Sequence, residues 1–421
     1  MSDKSLRILI HGINFSPELT GIGKYSGEMA KWLAEHGHEV RVVTAPPYYP
    51  QWRVLNEFLG WWFRKEANPP QPPFEKKGGS IVIYRCPLWV PSRPSGIKRV
   101  LHLTSFALSS FPIMLGQIFW RPDVVLVVEP PFFCAPQAWL VARLSGAKSW
   151  LHIQDFEMDA AFDLGLLKGV GLRHLVADCE RRLMRRFDQV STISGNMLER
   201  LVSKGVKQEK SFLLPNWVDV QDVFPLPAVS IYRAELGIDN DVCVALYSGN
   251  MGEKQGIEIL LDAARSLQNE DEILFVLCGE GAARERLMRL GGDLRNVRWL
   301  PLQPMAKLNE LLNLADVHLL PQRADVADLV MPSKLLGMLA SGRPVLATAH
   351  SGTQLAKVVS SCGKVVEPGN AQDIAQGLLE LLHSPQARAT LGTAARQAAQ
   401  AWDKTNVLRR FESKLQELCK E

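Results

Sequence analysis

The chain has 421 residues, of which 47% are hydrophobic and 22% are charged, and its formal net charge at pH 7 is +4. This composition excludes a disordered chain, and the length exceeds what one hydrophobic core usually supports, so two domains are expected. The near balance of acidic and basic residues argues against a nucleic-acid partner.

Cysteine usage and the N-terminus indicate the compartment. The seven cysteines show neither disulfide-like nor metal-ligand spacing, which favours reduced thiols in a cytosol. A short apolar run follows Met1–Ser5, without the long apolar region or cleavage site of a secretion signal. We therefore expect a cytoplasmic protein.

Residues 1–218 are predicted to form a first domain of alternating strands and helices. Leu6–Ile13 and Glu39–Thr44 are apolar runs of strand length, and Lys24–His36 between them has the apolar spacing of a helix. The alternation continues and predicts a parallel sheet covered by helices. The later strands are predicted at Val124–Val128, Ser149–Ile153, Gln189–Ile193 and Ser211–Leu214, and the later helices at Ala135–Leu144 and Leu172–Phe187.

Two segments depart from this alternation. Residues 48–74 place aromatic residues among prolines and charges with no regular period, and are predicted to be an aromatic insertion. Residues 97–120 are predicted to form an apolar helix, in which His102, Thr104 and Gln117 argue against a membrane span. This helix is either buried in the domain or lies on a membrane surface beside basic residues. The basic residues nearby are Arg64, Lys65, Lys76, Lys77, Arg93, Lys98 and Arg99.

A second domain is predicted over residues 230–384, and helices alone over 385–421. Pro225 and Pro227 prevent helix continuation, so an exposed linker is expected at 219–229. Beyond the linker, a second strand-helix series predicts another doubly wound parallel sheet. Its strands are predicted at Cys243–Tyr247, Ile273–Cys278, Val297–Leu300, Val317–Leu320, Val345–Ala347 and Lys364–Val366.

A glycine-containing loop enters a helix after the first strand of each domain. The loop of the first domain contains Gly21 and Gly23, and the loop of the second runs from Ser248 to Gly256 and contains Lys254. Glycines let backbone amides at a helix start approach an anion, and a lysine adds positive charge, which together favour a diphosphate. A solvated turn lysine is the alternative interpretation of Lys254.

A further anion-binding helix start is predicted at Pro332-Ser333-Lys334. Proline suits the first turn of a helix, and the hydroxyl and the lysine stand beside free backbone amides. The carboxyl ends of strands in a doubly wound sheet share one crevice. We therefore expect this helix start and the loop of Lys254 to converge.

Polar residues cluster after the strand that is predicted to end at Ile153. His152, Asp155 and Asp159 lie at this carboxyl end, which faces the ligand crevice in such sheets. That position favours a functional role over a structural histidine. No second histidine or cysteine stands at a ligand spacing, so a metal site is not expected.

Taken together, these strings resemble the retaining glycosyltransferases of family 4. The resemblance spans nearly the whole chain and rests on Gly21-Ile22-Gly23, Pro215-Asn216, Ser248–Gly256, Pro332-Ser333-Lys334 and Ala340–Val345. It implies the α/β fold called GT-B, in which two Rossmann-like domains face each other across a cleft. It also implies a nucleotide diphosphate sugar bound by the second domain, an acceptor bound by the first, and no metal or other cofactor.

The resemblance also assigns roles to single residues. Lys254 matches the cation on the donor diphosphate and His152 matches a histidine near the transferred sugar, so these two are the predicted catalytic residues. The donor diphosphate is assigned to Gly21, Gly23, Gly249, Asn250, Lys254, Ser333 and Lys334. The sugar or acceptor is assigned to Tyr25, Asp155, Asp159 and Asn216.

This chain departs from the family pattern in its carboxylates. Many members carry two glutamates that contact sugar and ribose, where this chain has Leu329 and Gly337; Asp325 or Asp328 is the predicted substitute at the nucleoside. Asn250 replaces an arginine of the phosphate loop. A nucleotide-sugar-binding scaffold that has lost catalysis is therefore an alternative to the transferase. A nucleotide-sugar epimerase of the same fold is a further alternative, but it would need an acid and base pair across the cleft, and no such pair is evident.

The strings Gly12–Tyr25, Thr44–Trp52 and Leu151–Asp155 are similar to those of family members that build exopolysaccharides. That resemblance implies transfer of fucose from GDP-fucose to a saccharide on undecaprenyl diphosphate, a polyprenyl carrier. Such an acceptor implies peripheral contact with the inner face of the cell membrane.

Overall fold

The computed structural model describes residues 5–18, 21–60, 62–67, 79–92, 96–156, 170–252, 255–323 and 332–420. The chain divides into two compact units. Unit 1 comprises Met1–Pro215 and Val407–Glu421, and unit 2 comprises Asn216–Asn406. Each unit is an α/β domain built on a parallel sheet, as the sequence predicts.

Unit 1 is built on an eight-stranded sheet. Its strands are β1 (Arg7–His11), β2 (Glu39–Thr44), β3 (Arg64–Ala67), β4 (Ser80–Arg85), β5 (Val124–Glu129), β6 (Lys148–Ile153), β7 (Gln189–Thr192) and β8 (Ser211–Leu213). They lie in the order β3-β4-β2-β1-β5-β6-β7-β8, and only the pairing of β3 with β4 is antiparallel. All six residues of β5 are buried, because a central strand of a parallel sheet is covered on both faces.

The helices of unit 1 connect these strands. They are α1 (Gly21–Glu35), α2 (Gly96–Gly116), α3 (Ala135–Ser145), α4 (Val170–Met184) and α5 (Gly195–Ser203). Local sequence explains where two of them begin or end. The Ser194 hydroxyl accepts the Met197 amide proton at the start of α5, and Gly146 ends α3 in the left-handed conformation, with φ of 76°.

Unit 2 is built on a six-stranded parallel sheet. Its strands are β9 (Cys243–Ser248), β10 (Ile273–Cys278), β11 (Val297–Leu300), β12 (Val317–Leu320), β13 (Val345–Thr348) and β14 (Gly363–Val366), in the order β11-β10-β9-β12-β13-β14. The helices are α6 (Ile231–Leu236), α7 (Glu258–Ser266), α8 (Arg284–Leu290), α9 (Leu308–Asn313), α10 (Lys334–Ala340), α11 (Gln354–Val359), α12 (Ala371–Leu382) and α13 (Pro385–Ala399).

The strand order of both sheets reverses beside the first strand of the unit. In unit 1, β1 lies between β2 and β5; in unit 2, β9 lies between β10 and β12. Ligands of doubly wound sheets bind beyond the carboxyl ends of the strands at this reversal. The loops that follow β1 and β9 leave their strands at these points.

The chain ends in a helix that belongs mainly to unit 1. This helix, α14 (Lys404–Leu418), buries Phe411 against Trp150 of β6, with ring centroids 5.2 Å apart. Its Glu412 accepts hydrogen bonds from Trp32 Nε1 at 2.8 Å and His38 Nε2 at 3.1 Å. The sequence predicts helices over 385–421 but not the return of the last one to the first unit.

The predicted aromatic insertion contains regular structure that the sequence did not indicate. Residues 64–67 form β3, which pairs with β4, and Asn56–Phe58 form one turn of 3-10 helix. Strand β3 was missed because its Arg-Lys-Glu-Ala sequence is that of an exposed charged edge. Position 61 and positions 68–78 lie outside the described residues.

The predicted linker is only partly exposed. Val218, Val220 and Val223 are buried in the core of unit 2, and the amides of Phe224 and Leu226 donate to Asn309 and Asn313. The predicted connection over 219–229 is therefore exposed at most positions but anchored in unit 2 at Val220 and Val223. The alternating valines give this segment an apolar face that the prolines obscured.

Helix α2 continues as a 3-10 turn over Gln117–Trp120, in agreement with the predicted helix. By length and composition, the stretch Gly96–Trp120 is apolar enough to cross a membrane. One side of the helix is buried through His102, Phe106 and Met114, and its outer side carries exposed apolar residues.

Candidate active site

Two glycine turns lie together at the carboxyl edge of the unit 2 sheet. The loop after β9 bonds to the loop after β10 through Gly249 N to Cys278 O at 3.0 Å and Met251 N to Glu280 O at 2.8 Å. Gly279 has a φ of 150°, and a Cβ there would lie 1.8 Å from the Gly249 carbonyl oxygen. Only glycine permits this backbone approach.

Lys334 projects into this edge from the first turn of α10. Its Nζ atom is buried and has no hydrogen-bond partner among the described residues. It lies 4.2 Å from the centroid of the Tyr247 ring, and a Cβ at Gly249 would lie 3.2 Å from its Cδ. The Tyr247 hydroxyl donates to the Asn250 carbonyl oxygen at 2.7 Å.

The Lys334 amine has a pKa that is unusually low for a lysine. Burial lowers its pKa to about 7, since removal from water penalises the ammonium form. A buried amine without a counter-charge is compensated when an anion binds beside it. The arrangement of glycine turns and lysine is chemically suited to a phosphate or diphosphate.

The structure therefore brings Gly249, Asn250 and Lys334 together, as the sequence predicts. Asn250 and Ser333 are exposed, and the Ser333 side chain makes no capping hydrogen bond. Gly337 lies in α10, where a Cβ would be 3.3 Å from Leu312 Cδ1. Predicted residues outside the described part of the chain are Lys254, Asp325, Asp328 and Leu329.

In unit 1, a buried carboxylate organises the loop after β1. Glu18 accepts hydrogen bonds from the Tyr48 and Tyr49 amides, each at 3.0 Å, and from Asn14 Nδ2 at 2.9 Å. Burial raises its pKa to about 7, although these donors and Arg85 act in the opposite direction. A Cβ at Gly23 would lie 2.5 Å from Glu18 Oε2, so this glycine lets the loop lie against α1.

Arg85 ties the neighbouring loops of unit 1 together. Its guanidinium donates to Ser16 O at 2.9 Å, to Ala45 O at 3.2 Å and to Glu66 Oε1 at 2.9 Å. Ser16 follows β1, Ala45 follows β2 and Glu66 lies in β3. No local pattern marks Glu18 or Arg85 as organising residues, because most of their partners are distant in the chain.

The start of α1 contains the predicted residues Gly21, Gly23 and Tyr25. Gly21 has a φ of 61°, and a Cβ there would lie 3.6 Å from the Tyr49 ring. Tyr25 is buried on the inner side of α1.

His152 is buried in β6 with both ring nitrogens in hydrogen-bond contact. Nδ1 lies 2.9 Å from Ser191 Oγ, and Nε2 lies 3.0 Å from Gln154 Nε2. Burial lowers the pKa of His152 to about 3, so the imidazole is neutral near pH 7. Gln154 Nε2 is a donor, so Nε2 of the imidazole accepts and Nδ1 carries the proton.

The remaining predicted contact residues are dispersed. Asp155 follows β6 and is partly buried, and Asp159 lies outside the described residues. Asn216 begins unit 2 and is buried, with its Oδ1 atom lacking a hydrogen-bond partner in the described chain. Within the described ranges, no group of three His, Cys, Asp or Glu side chains could hold a metal ion.

Family profiles cover both units. A profile described as "Glycosyl transferase 4-like domain" matches residues 20–217, and one described as "Glycosyl transferases group 1" matches residues 229–398. The chain is 42% identical over 418 residues to the colanic acid biosynthesis glycosyl transferase WcaI of Escherichia coli, covering 96% of this chain and 98% of that protein.

Solved structures with low sequence identity share the fold. Sucrose-phosphate synthase from Thermosynechococcus elongatus superposes with a TM-score of 0.73 at 16% identity, covering 98% of each chain. HepE from Anabaena, solved with UDP and glucose, gives a TM-score of 0.68 at 14% identity, covering 98% of this chain and 100% of that one. These are GT-B glycosyltransferase folds.

Two α/β domains with parallel sheets, together with the likeness to these structures, show that the chain has the GT-B fold. The chain belongs to the family 4 glycosyltransferases.

Proposed function

We propose that this glycosyltransferase moves a sugar from a nucleotide diphosphate sugar to a lipid-linked saccharide, with retention of anomeric configuration. The observation that carries the proposal is the buried, unpartnered Lys334 nitrogen beside the glycine turns of unit 2. A diphosphate is the leaving group of such donors, and it gains negative charge as its bond to the sugar breaks. A preorganised cation stabilises that charge where it develops.

The transfer balances without an additional reactant. The acceptor hydroxyl oxygen bonds to the anomeric carbon on the face from which the diphosphate leaves, and the bond between that carbon and the phosphate oxygen breaks. The hydroxyl proton passes to the departing phosphate oxygen. The protein contributes mainly by positioning the two substrates and by stabilising charge.

The pathway proposal rests on the similarity to WcaI, whose name refers to colanic acid biosynthesis. By that similarity, we place this chain in the synthesis of an exopolysaccharide, with GDP-fucose as donor and an undecaprenyl diphosphate saccharide as acceptor. Lys254, His152 and the unit 1 residues Asp155 and Tyr25 remain predicted contacts. Neither a metal nor another cofactor is part of the proposal.

The proposal includes peripheral binding to the inner face of the cell membrane, supported by the outer face of α2. Leu108 is 71% exposed and Phe119 is 90% exposed, and Ile97, Leu101 and Phe111 are also exposed at spacings that place them on one side of the helix. The sequence has no acidic residue between Glu75 and Asp123, so the charges flanking this face are basic. Anionic lipid complements such a surface.

The inner side of α2 favours a helix lying along the membrane surface rather than crossing it. Ser110 contacts His11 Nε2 at 3.1 Å, and His102 Nδ1 lies 2.6 Å from the Trp89 carbonyl oxygen. A crossing helix would have to leave these buried contacts.

Thermal unfolding with a panel of UDP, GDP, dTDP and ADP sugars tests the donor site. A ligand at 100 times its dissociation constant adds about 2.7 kcal/mol to the free energy of unfolding. We expect one nucleotide class to stabilise the wild type and to lose that effect in Lys334→Met. Stabilisation that persists in Lys334→Met would place the diphosphate elsewhere. No stabilisation by any nucleotide would contradict a donor site in this chain.

A further inference from the structure

Tyr247 contacts two parts of the candidate donor site with one side chain. It lies near the carboxyl end of β9 and is completely buried. The face of its ring lies beneath Lys334 Nζ, and its hydroxyl bonds to the Asn250 carbonyl oxygen in the first glycine turn. Ring and hydroxyl thus fix two groups that are distant in sequence.

We infer that Tyr247 is a positioning residue for nucleoside diphosphates, which holds the Lys334 amine on its ring face and the β9 loop through its hydroxyl, and that ligand binding adds a proton to the amine held there. This inference rests on the proposed donor site. It adds a role for Tyr247 and the uptake of a proton by Lys334.

The ring gives the amine an orientation in the unliganded protein. A cation over an aromatic face is stabilised by the ring quadrupole, most strongly when it is shielded from water. This contact is compatible with both forms of the amine but favours the ammonium. A diphosphate arriving at the glycine turn adds the opposite charge that the described residues do not supply.

Few other charges act on the amine from the described elements. The Tyr247 phenol stays neutral, because burial raises its pKa. On the neighbouring β10 loop, Glu280 is ion-paired with Arg284 at 3.7 Å. Arg323, after β12, lies against Gly256, where a Cβ would be 2.8 Å from Arg323 Cγ. No carboxylate of the described chain forms an ion pair with Lys334.

Proton uptake by Lys334 determines how the affinity for a diphosphate changes with pH. The free amine has a pKa of about 7, and a bound diphosphate raises it, so binding above pH 7 takes up a proton and weakens as pH rises. At pH 8 we expect the uptake of most of one proton, and an affinity that falls up to about tenfold per pH unit above pH 7.5. The ligand does not contribute there, because the second ionisation of a phosphate lies near pH 6.

Isothermal titration calorimetry with UDP, GDP, dTDP and ADP tests this inference. Titrations at pH 8 in buffers of different ionisation enthalpy give the proton uptake, and titrations from pH 7.5 to 9 give the affinity. The wild type is expected to show both effects with the nucleotide that it binds. Lys334→Met is expected to bind more weakly, with no proton uptake and no pH dependence in this range.

Two tyrosine variants separate the roles of ring and hydroxyl. Tyr247→Phe keeps the ring, so it should keep the proton uptake while its affinity falls about two- to tenfold at every pH, because the Asn250 carbonyl loses its donor. Tyr247→Leu removes the ring and should move the decline in affinity to lower pH by about half a unit or more.

A second tyrosine of unit 2 is a matched control. Tyr232 is also buried, donates its hydroxyl to Gln303 at 2.8 Å and lies beneath Lys307 at 5.5 Å. In contrast to Lys334, Lys307 has a side chain that is 44% exposed and ion-paired with Glu235. Tyr232→Phe and Tyr232→Leu should leave nucleotide affinity and its pH dependence unchanged.

The outcomes distinguish the two proposals. A wild type that binds none of UDP, GDP, dTDP and ADP would overturn the donor site and this inference with it. Binding without proton uptake would overturn the protonation of Lys334, and a Tyr247→Phe variant identical to the wild type would overturn the role of Tyr247. Either result would leave the donor site standing. If Tyr247→Leu fails to fold by circular dichroism, the wild-type proton uptake and Tyr247→Phe still decide the question.

Discussion

Gly249 combines a backbone conformation that favours glycine with close contact to Lys334 of the candidate donor site. Its φ is 148°, and an added Cβ would press on Lys334. We expect Gly249→Ala to weaken nucleotide binding at least tenfold, because the lysine must move. Gly352→Ala is the control: its φ is 85°, but nothing lies within 4 Å of the added Cβ. Calorimetry on both variants measures the effect, and equal affinities would contradict a role for the contact with Lys334.

His152 is buried in a hydrogen-bonded site of β6, and its predicted contact with the transferred sugar remains to be tested. His152→Ala should lower the free energy of unfolding by about 2–4 kcal/mol, since it leaves a cavity and unpaired polar atoms. His11→Ala removes another buried histidine of the same sheet, bonded to Ser110, and should cost a similar amount. Urea denaturation measures both.

If His152 contacts the transferred sugar, His152→Ala should also lower kcat by more than its lower stability explains. Under conditions where both variants are folded, His152→Ala should lower kcat while leaving donor affinity close to the wild-type value. His11→Ala should retain kcat. Similar kcat values for the two variants would make His152 a purely structural residue.

The sequence predicted Gly249, Asn250 and Lys334 as one site because the motifs follow predicted strands of one sheet. It did not predict Tyr247, Glu18 or Arg85. Tyr247 has the appearance of an ordinary strand residue, and its role depends on a lysine far along the chain. Pairings of this kind are determined by tertiary packing and leave no local pattern.

At the level of the element, α2 combines a buried side and an exposed apolar side. Leu101→Ser with Leu108→Ser should reduce binding to phosphatidylglycerol vesicles at least tenfold, because burial of each leucine side chain contributes up to about 1.5–3 kcal/mol. Co-sedimentation measures the bound fraction. The free energy of unfolding should change little, since both side chains are exposed.

A leucine elsewhere provides the control for that experiment. Leu290 of α8 is 48% exposed, and Leu290→Ser should leave vesicle binding unchanged. Neutral phosphatidylcholine vesicles should bind the wild type more weakly than anionic ones. Equal vesicle binding by the wild type and the α2 variant would contradict the membrane role of this face.

The helices and most strands could be predicted because apolar periodicity marks them. The apolar run of β5 and the amphipathic spacing of α1 are examples. Strand β3 could not be predicted, because an edge strand of charged residues is stabilised by its pairing with β4. The return of α14 to unit 1 depends on contacts with Trp32, His38 and Trp150, all distant in sequence.

For the whole molecule, buried titratable groups predict how stability depends on pH. His11, His152 and His318 each have a pKa lowered to about 3 by burial. Below pH 6.5 the unfolded state binds protons that the native state does not, so each histidine lowers the free energy of unfolding by about 2 kcal/mol between pH 7 and pH 5. Stability should therefore fall over this interval.

Glu18 acts in the opposite direction. Its native carboxyl binds a proton up to about pH 7, whereas the unfolded one does so only below about pH 4.5. Acidification from pH 7 to pH 5 therefore raises the contribution of Glu18 to the free energy of unfolding by about 2 kcal/mol. Glu18→Gln removes this compensation and should steepen the loss between pH 7 and pH 5. Urea denaturation at the two pH values measures the difference, and an unchanged slope in Glu18→Gln would contradict the raised pKa.

The most direct test of the central claim is a transfer assay. The wild type is incubated with the labelled nucleotide sugar that stabilises it and with an undecaprenyl diphosphate saccharide in anionic vesicles, and NMR determines the anomeric configuration of the product. We predict label in the lipid fraction with the configuration of the donor, loss of transfer in Lys334→Met and normal transfer in Leu290→Ser. Inverted configuration would contradict the retaining mechanism, and donor binding without transfer or hydrolysis would contradict the assignment as a transferase acting on a lipid-linked saccharide.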